Sequence, residues 1–292
     1  MTELSERAML VTLHISSWGG MMVDKEVSDE VNESHKASKE AGRYNKRLVA
    51  TKFFSEVSLA HNQARAAHRV LTLPWEDDGT RILATAGFIP YQETMRNSKR
   101  KTAAAVKGLR EMRSLYITEA QDRLGSMFNL DDYPDVDTVE AKFGFDVEVK
   151  PMPEAGDFRA KLSDDQVKSV IKDIERRTDQ RLEIAMNDVF KRIATVVEHM
   201  SKRLKEYAPP KEGNKAEGLI RDSVVYNIHE LAANVLPVLN VTNDPRIEVL
   251  RQQLLTELVE HSPEILRADS KVRALTMSKA DKILKKVQSY MK

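Results

Sequence analysis

The chain has 292 residues, enough for two domains or one extended one, with 41% apolar and 31% charged residues and a net charge of +1. It has no cysteine, which excludes a disulfide framework, a thiolate nucleophile and a Cys-ligated metal, and the near-neutral balance gives no global pull toward nucleic acid or membrane. Glycine is scarce, the run Met1 to Met9 is polar and mixed in charge, and no apolar run approaches the ~20 residues of a membrane span, so a soluble cytoplasmic protein is expected.

Val11, Leu13 and Ile15 alternate with Thr12, His14 and Ser16, the period of a half-buried strand over 9–16, and Gly19-Gly20 end it. Helical spacing is read over 22–73, interrupted only by Gly42. Its first half is weakly apolar, at Val27 and Val31; its second half is better, at Phe53, Val57, Ala60, Ala64, Ala67 and Leu71. Leu73 to Gly79 stops that helix and turns. A third helical stretch, 91–127, carries Ala105, Leu109, Met112, Tyr116, Ala120 and Leu124 on one face, and the acidic loop 131–137 follows. Alternation then predicts strands over 143–150 and 157–162, which join 9–16 in a small antiparallel sheet.

The clearest pattern is a stripe of Val167, Ile171, Ile174, Thr178, Leu182, Ala185, Val189, Ile193, Val196, Met200, Leu204 and Tyr207. Steps of 4, 3 and 4 make an 11-residue repeat of about 3.67 residues per turn, so the stripe stays on one face of a straight helix. No Gly or Pro interrupts Asp157 to Ala208; Ser163-Asp164-Asp165 is a natural N-cap and Pro209-Pro210 a stop. Such a helix runs roughly 60 Å at about 1.5 Å per residue. The stretches 22–73 and 91–127 are expected to cover it, making it the spine of an intramolecular bundle. Residues 211–218 read as a linker. Shorter helices follow at 216–235, 244–260 and 278–291, with starts at Asn243-Asp244-Pro245 and Ser278 to Asp281 and a kink at Leu236 to Asn240.

No GxGxxG, GxxxxGK[ST], GxSxG or HExxH motif is present. Of seven scattered histidines only His61 and His68 share a helix face, too far apart to share one metal alone. The four aspartates of 131–137 have the chemistry for a hard cation but not the spacing of a calcium loop; a solvated loop is the favoured reading. Arg96, Lys99, Arg100, Lys107 and Arg110 fall within an arc of about 100° on one helix, a basic ridge suited to a phosphate backbone, to an acidic protein partner or, more plainly, to solvent. A second basic group is Lys271, Arg273, Lys279, Lys282, Lys285, Lys286 and Lys292. Trp18 and Trp75 are candidate partner contacts if exposed and packing anchors if buried.

Several strings taken together carry a resemblance: Ile15-Ser16-Ser17-Trp18-Gly19-Gly20, the run Leu73 to Arg81, Arg123-Leu124-Gly125, Asp132-Tyr133-Pro134, Gly156-Asp157-Phe158-Arg159 and Leu236 to Asn240. In that order, over about 9–285, the chain resembles a group of conserved hypothetical proteins of tailed phages, some encoded beside genes for a MoxR-type AAA+ ATPase and a von Willebrand A-type protein. The resemblance implies a phage setting in an infected bacterial host and supplies no catalytic residues.

The expected fold is therefore mainly α: an elongated bundle of long helices with a small antiparallel sheet, followed by a C-terminal run of shorter helices. The expected domains are 1–210 and 211–292. The expected function is that of a non-enzymatic scaffold or adaptor, partnering an AAA+ ATPase or copies of itself, with any contact between copies on the helices past Gly218. The alternative is a nucleic-acid-binding protein of phage replication or recombination. No cofactor or metal is expected.

Overall fold

A computed structural model describes residues 2–153, 164–209 and 218–291. The protein is mainly helical, with a small antiparallel sheet, a two-stranded ribbon and one long helix. Two compact units are formed, one from Met1–Thr12, Arg69–Tyr91 and Val149–Lys292, the other from Leu13–His68 and Gln92–Glu148. They do not follow the expected division at 210/211. The chain changes unit inside regular elements rather than once through a linker, and residues 211–217 lie outside the described ones.

The first unit holds helix α1 (Thr2–Arg7) and the start of strand β1 (Ala8–Ser16). Beyond Pro153 the described chain resumes at Asp164 as a long helix. A hairpin read as a plain turn from sequence is a pair of strands, β4 (Leu73–Pro74) and β5 (Arg81–Ala84). Its turn closes by Glu76 N–H donating to Thr80 O and Thr80 N–H to Asp78 Oδ1, and Gly79 supplies the positive φ of 95°. β5 pairs antiparallel with β1 in the register Ala8↔Ala84 to Val11↔Arg81. The sheet order is β4-β5-β1-β6, with β6 at Gly144–Pro151. The expected strands at 9–16 and 143–150 are thus present. The expected strand 157–162 lies outside the described residues.

The long helix is α6 (Asp164–Glu206), 43 residues or about 65 Å at ~1.5 Å per residue. From Ala185 to Leu204 its buried apolar side chains are Ala185, Met186, Val189, Phe190, Ile193, Val197, Met200 and Leu204. Their partners are not the earlier helices but the C-terminal ones: α7 (Ser223–Glu230), α8 (Leu236–Leu239), α9 (Pro245–Gln253), α10 (Pro263–Ala268) and α11 (Ser270–Tyr290). α11 lies along α6 and forms its most extensive contact. It starts at Ser270, capped by Asp269, eight residues before the expected start at Ser278. The expected kink at Pro237 is absorbed by a π turn at Leu231–Val235, where the ladder shifts to spare the missing N–H. Arg192 of α6 spreads its guanidinium over the carbonyls of Arg69, Val70 and Thr72, each at 2.8 Å, and is itself held by Asp188.

The second unit corrects the expected helix 22–73. Met21–Asp24 (β2) and Tyr44–Arg47 (β3) pair as a ribbon, with a short helix α2 (Lys25–Ser34) between them. Only Ser55–Leu71 (α3) forms a longer helix. The reasons are polar. Asp24 caps α2 and accepts from Val27 N–H. Lys36 adopts a left-handed conformation at φ 51° that ends the helix. The buried side chain of Asn32 donates to Gly42 O, and that of Ser28 accepts from Tyr44 N–H. The helix expected over 91–127 is two, α4 (Phe88–Glu111) and α5 (Arg113–Leu124), broken at Met112. The core of this unit gathers Leu48, Val49, Phe53, Phe54, Val57, Val106, Leu109, Tyr116, Ala120, Leu124 and Tyr133. Gly20, at φ 61°, is pressed so close to the Phe54 ring that no side chain fits there.

Candidate functional site

The ridge on α4 forms as a surface. Arg96, Lys99, Arg100 and Lys107 are exposed, while Arg110 is partly buried. The ridge is divided by its partners. Arg110 is tied to Glu140 at 3.0 Å, and Lys107 faces Glu111 at 3.9 Å. Arg96, Lys99 and Arg100 have no ion pair among the described residues; Arg100 reaches only the Asn97 side chain. The positive charge available to a ligand is therefore at the N-terminal half of the ridge. In the C-terminal basic group, Arg273 caps the end of α10 by donating to Leu266 O and lies over the Tyr207 ring at 5.0 Å. Lys279 pairs with Glu260. These two are structural; Lys292 lies outside the described residues.

The tryptophans are packing residues. Trp75 is 5% exposed, in the core of the first unit, with Arg181 over its ring at 6.0 Å. It offers no surface, which corrects its place as a partner contact. Trp18 is half-buried and stands edge-on to Phe54 at 6.0 Å.

Two polar clusters were invisible in the sequence because their members are far apart in the chain. Lys46 is buried, with its ammonium 3.0 Å from Asp24 and 2.7 Å from Asp132, and it donates to Met127 O at 3.0 Å. The ammonium is thus held by two carboxylates and one backbone carbonyl. Burial works against the charge on Lys46, but the hydrogen bonds and charges of Asp132 and Asp24 outweigh it and raise its pKa. Asp24 is lowered, first by the Val27 N–H and then by Lys46. The Lys46 contribution is present below 10.5 and lost as pH rises through its folded pKa; that of Asp24 is present above 3.8 and lost as pH falls through its folded pKa. One member of the acidic loop is thus a structural counter-ion. Among the described residues no group of three or more His, Asp or Glu is placed to hold a metal ion. The other cluster is His61, 3% exposed, whose Nδ1 meets Ser17 Oγ at 3.0 Å. A hydroxyl beside an imidazole has the look of a nucleophile and its base. No acid orients this ring, because its Nε2 is buried without a hydrogen-bond partner.

The beginning of α6 carries an apolar arc of its own. Val167, Val170, Ile171 and Ile174 fall within an arc of about 100° at the spacing i, i+3, i+4, i+7. They are half-buried and belong to neither hydrophobic core among the described residues. Core burial on this helix begins at Thr178, 5% exposed. Lys168 and Glu175 are exposed on one flank of this apolar face, with no ion pair among the described residues. Asp173 holds Arg176 at 2.6 Å and Arg177 at 2.8 Å. Sequence periodicity runs straight through this point, so the stripe reads as one buried spine. Only the fold shows that, among the described residues, its first third joins neither core. Among the described residues no helix is long and apolar enough to cross a membrane. No family model, curated protein or solved structure matches the chain.

Proposed function

We propose that the protein is a non-enzymatic scaffold or adaptor of a tailed phage, cytoplasmic in the infected host, that works by offering the leading turns of α6 to a protein partner. One observation supports this: the apolar stripe of α6 continues through the half-buried Val167, Val170, Ile171 and Ile174, which join neither core among the described residues. A helix with an apolar arc and charged flanks is a surface for another helix, because burying the arc removes it from water while the flanks choose the partner. The elongated helical body expected from sequence belongs to this proposal, and α6 is its axis. The partner class follows from the resemblance: an AAA+ ATPase encoded nearby, or copies of this chain. The test is co-purification with that ATPase. Native protein is expected to hold it and Ile171→Asp/Ile174→Asp to release it; a native chain that holds neither the ATPase nor itself overturns the proposal.

A second reading has its own observation. Arg96, Lys99 and Arg100 are exposed side by side and unpaired among the described residues, which suits binding to a DNA backbone. Binding at ~50 mM salt should weaken in Arg96→Glu/Arg100→Glu, and the slope of log K against log salt should fall by about 1 per cation removed. No binding by native protein at that salt ends this reading.

A further inference from the structure

The first unit carries an open cavity of about 300 Å³ beside α6. Sites for small ligands begin at about this size and are mostly apolar, with a few placed polar groups. The floor is Leu182, Met186 and Phe190, one turn apart on α6, with Tyr290 of α11 beside them. Met186 and Phe190 are 8% and 2% exposed, and the Thr242 hydroxyl meets the Met186 sulfur at 3.5 Å. Arg246 closes one end, its guanidinium 5.3 Å from the centre of the Phe190 ring and 5.5 Å from that of Tyr290. Asp244 takes its Nε and Nη2, the latter at 2.6 Å, so this charge is compensated within the wall. The other end is anionic. Asp179 and Glu183 stand exposed at the rim, four residues apart, the spacing at which like charges on a helix repel. Asp179 makes no ion pair among the described residues. Seven residues, ~10.5 Å of helix rise, separate Glu183 from Phe190, so the rim carboxylates are well removed from the Arg246 end.

We infer that this cavity binds an alkylammonium, its positive charge at Asp179 and Glu183 and its hydrocarbon chain laid over Leu182, Met186 and Phe190. A carboxylate on the same chain would meet two like charges at the rim. A bare metal ion lacks ligands, since no group of three or more His, Asp or Glu is placed for one among the described residues. A free alkylamine and a lysine side chain share the required chemistry. The cavity begins at Asp179, beyond the residues of the adaptor reading, so either can fail alone.

Methionine-methyl NMR of the full chain, titrated with n-hexylammonium, tests it, with the Met186 signal assigned through Met186→Leu. That signal should shift and saturate, while hexanoate, the same chain with the opposite charge, should leave it in place. Butylammonium should bind roughly tenfold more weakly, two methylenes of burial being lost. Asp179→Asn/Glu183→Gln should weaken hexylammonium roughly fivefold at low salt. The same variant should keep or gain thermal stability, because it removes a repulsion along α6, so the loss of binding will not be a loss of fold. Nα-acetyl-lysine methylamide separates the two sources. If it moves the Met186 methyl, the site takes the lysine side chain of a partner; if only the free amine does, the site takes a small amine. No shift at Met186 with hexylammonium, an equal shift with hexanoate, or binding untouched by the carboxylate variant each overturns the inference.

Discussion

The two compact units are held by different chemistry. The first buries an aliphatic face of one long helix, Val189, Ile193, Val197, Met200 and Leu204, against Ile228, Leu236, Leu250, Leu254, Ile283 and Val287. The second buries aromatic rings, Phe53, Phe54, Tyr116 and Tyr133, around loops that are fastened by buried polar groups, above all Lys46. Apolar burial is spread over many contacts and degrades gradually when one is removed. A buried ammonium between carboxylates is concentrated at one point, and taking away one partner leaves the others charged and without compensation. The two units should therefore fail in different ways.

The largest effect should follow from Lys46→Met. It leaves Asp24 and Asp132 facing each other with no ammonium between them, and loss of one partner of a buried ion cluster costs about 4 kcal/mol. Denaturant unfolding gives the size. Hydrogen exchange gives the place: amides of β3 and α5 should lose protection before those of α6. An equal loss along α6 would break the contrast. Ile193→Ala is the matching change in the first unit. Ile193 is fully buried among aliphatic neighbours, and truncation to Ala should cost about 3 kcal/mol through lost burial and a residual cavity. Here the loss of protection should lie in α6 and α11, the helix packed along it. Smaller again is Tyr133→Phe. The phenol donates to Leu48 O at 2.9 Å in the core of the second unit, and Arg123 Nη2 donates to the same carbonyl at 3.1 Å, so the variant keeps the ring and removes one of two donors, for about 0.5 to 1 kcal/mol. A neutral result would mean that Arg123 alone satisfies this carbonyl and that the aromatic packing suffices.

The same contrast explains what could be read beforehand. α6 was legible because its whole signal is periodic and local: Val189, Ile193, Val196, Met200 and Leu204 recur at helical spacing without Gly or Pro. The strand at Ala8–Ser16 and the cap at Asp244 were legible for the same reason. The ribbon of β2 and β3 was not. Val27, Val31, Ser34 and Ser38 keep a weak helical spacing, and what overrides it is Lys46 reaching Asp132, 86 positions away, and Asn32 folding back on Gly42. Nor could the stripe say who covers it. A periodic face states that something packs there, and α11 and the two earlier helical stretches were equally suitable by period. Of the candidate residues, the exposed cations of α4 were legible as a ridge, but their division into paired and unpaired halves depends on Glu140, which sequence does not place.

The smallest effect is a slope rather than a single variant's loss, and it too separates the units. His61 is buried in the second unit with Ser17 Oγ at its Nδ1. Burial lowers its pKa below 6.5, and the charge of Arg65 lowers it further. A histidine with a lowered folded pKa stays neutral in the native state while the unfolded chain takes up a proton near 6.5. The unfolded state then binds more protons, so stability falls as pH drops through 6.5 toward the folded pKa and levels off below it. Unfolding midpoints measured from about pH 7 to about pH 5 should therefore decline, with exchange in α3 rising before exchange in α6. His61→Gln keeps a polar group for Ser17 and removes the titration, so it should flatten the decline even if it lowers stability throughout. A decline that survives this substitution belongs to another group, and the second unit would then owe its acid sensitivity to something other than its buried imidazole.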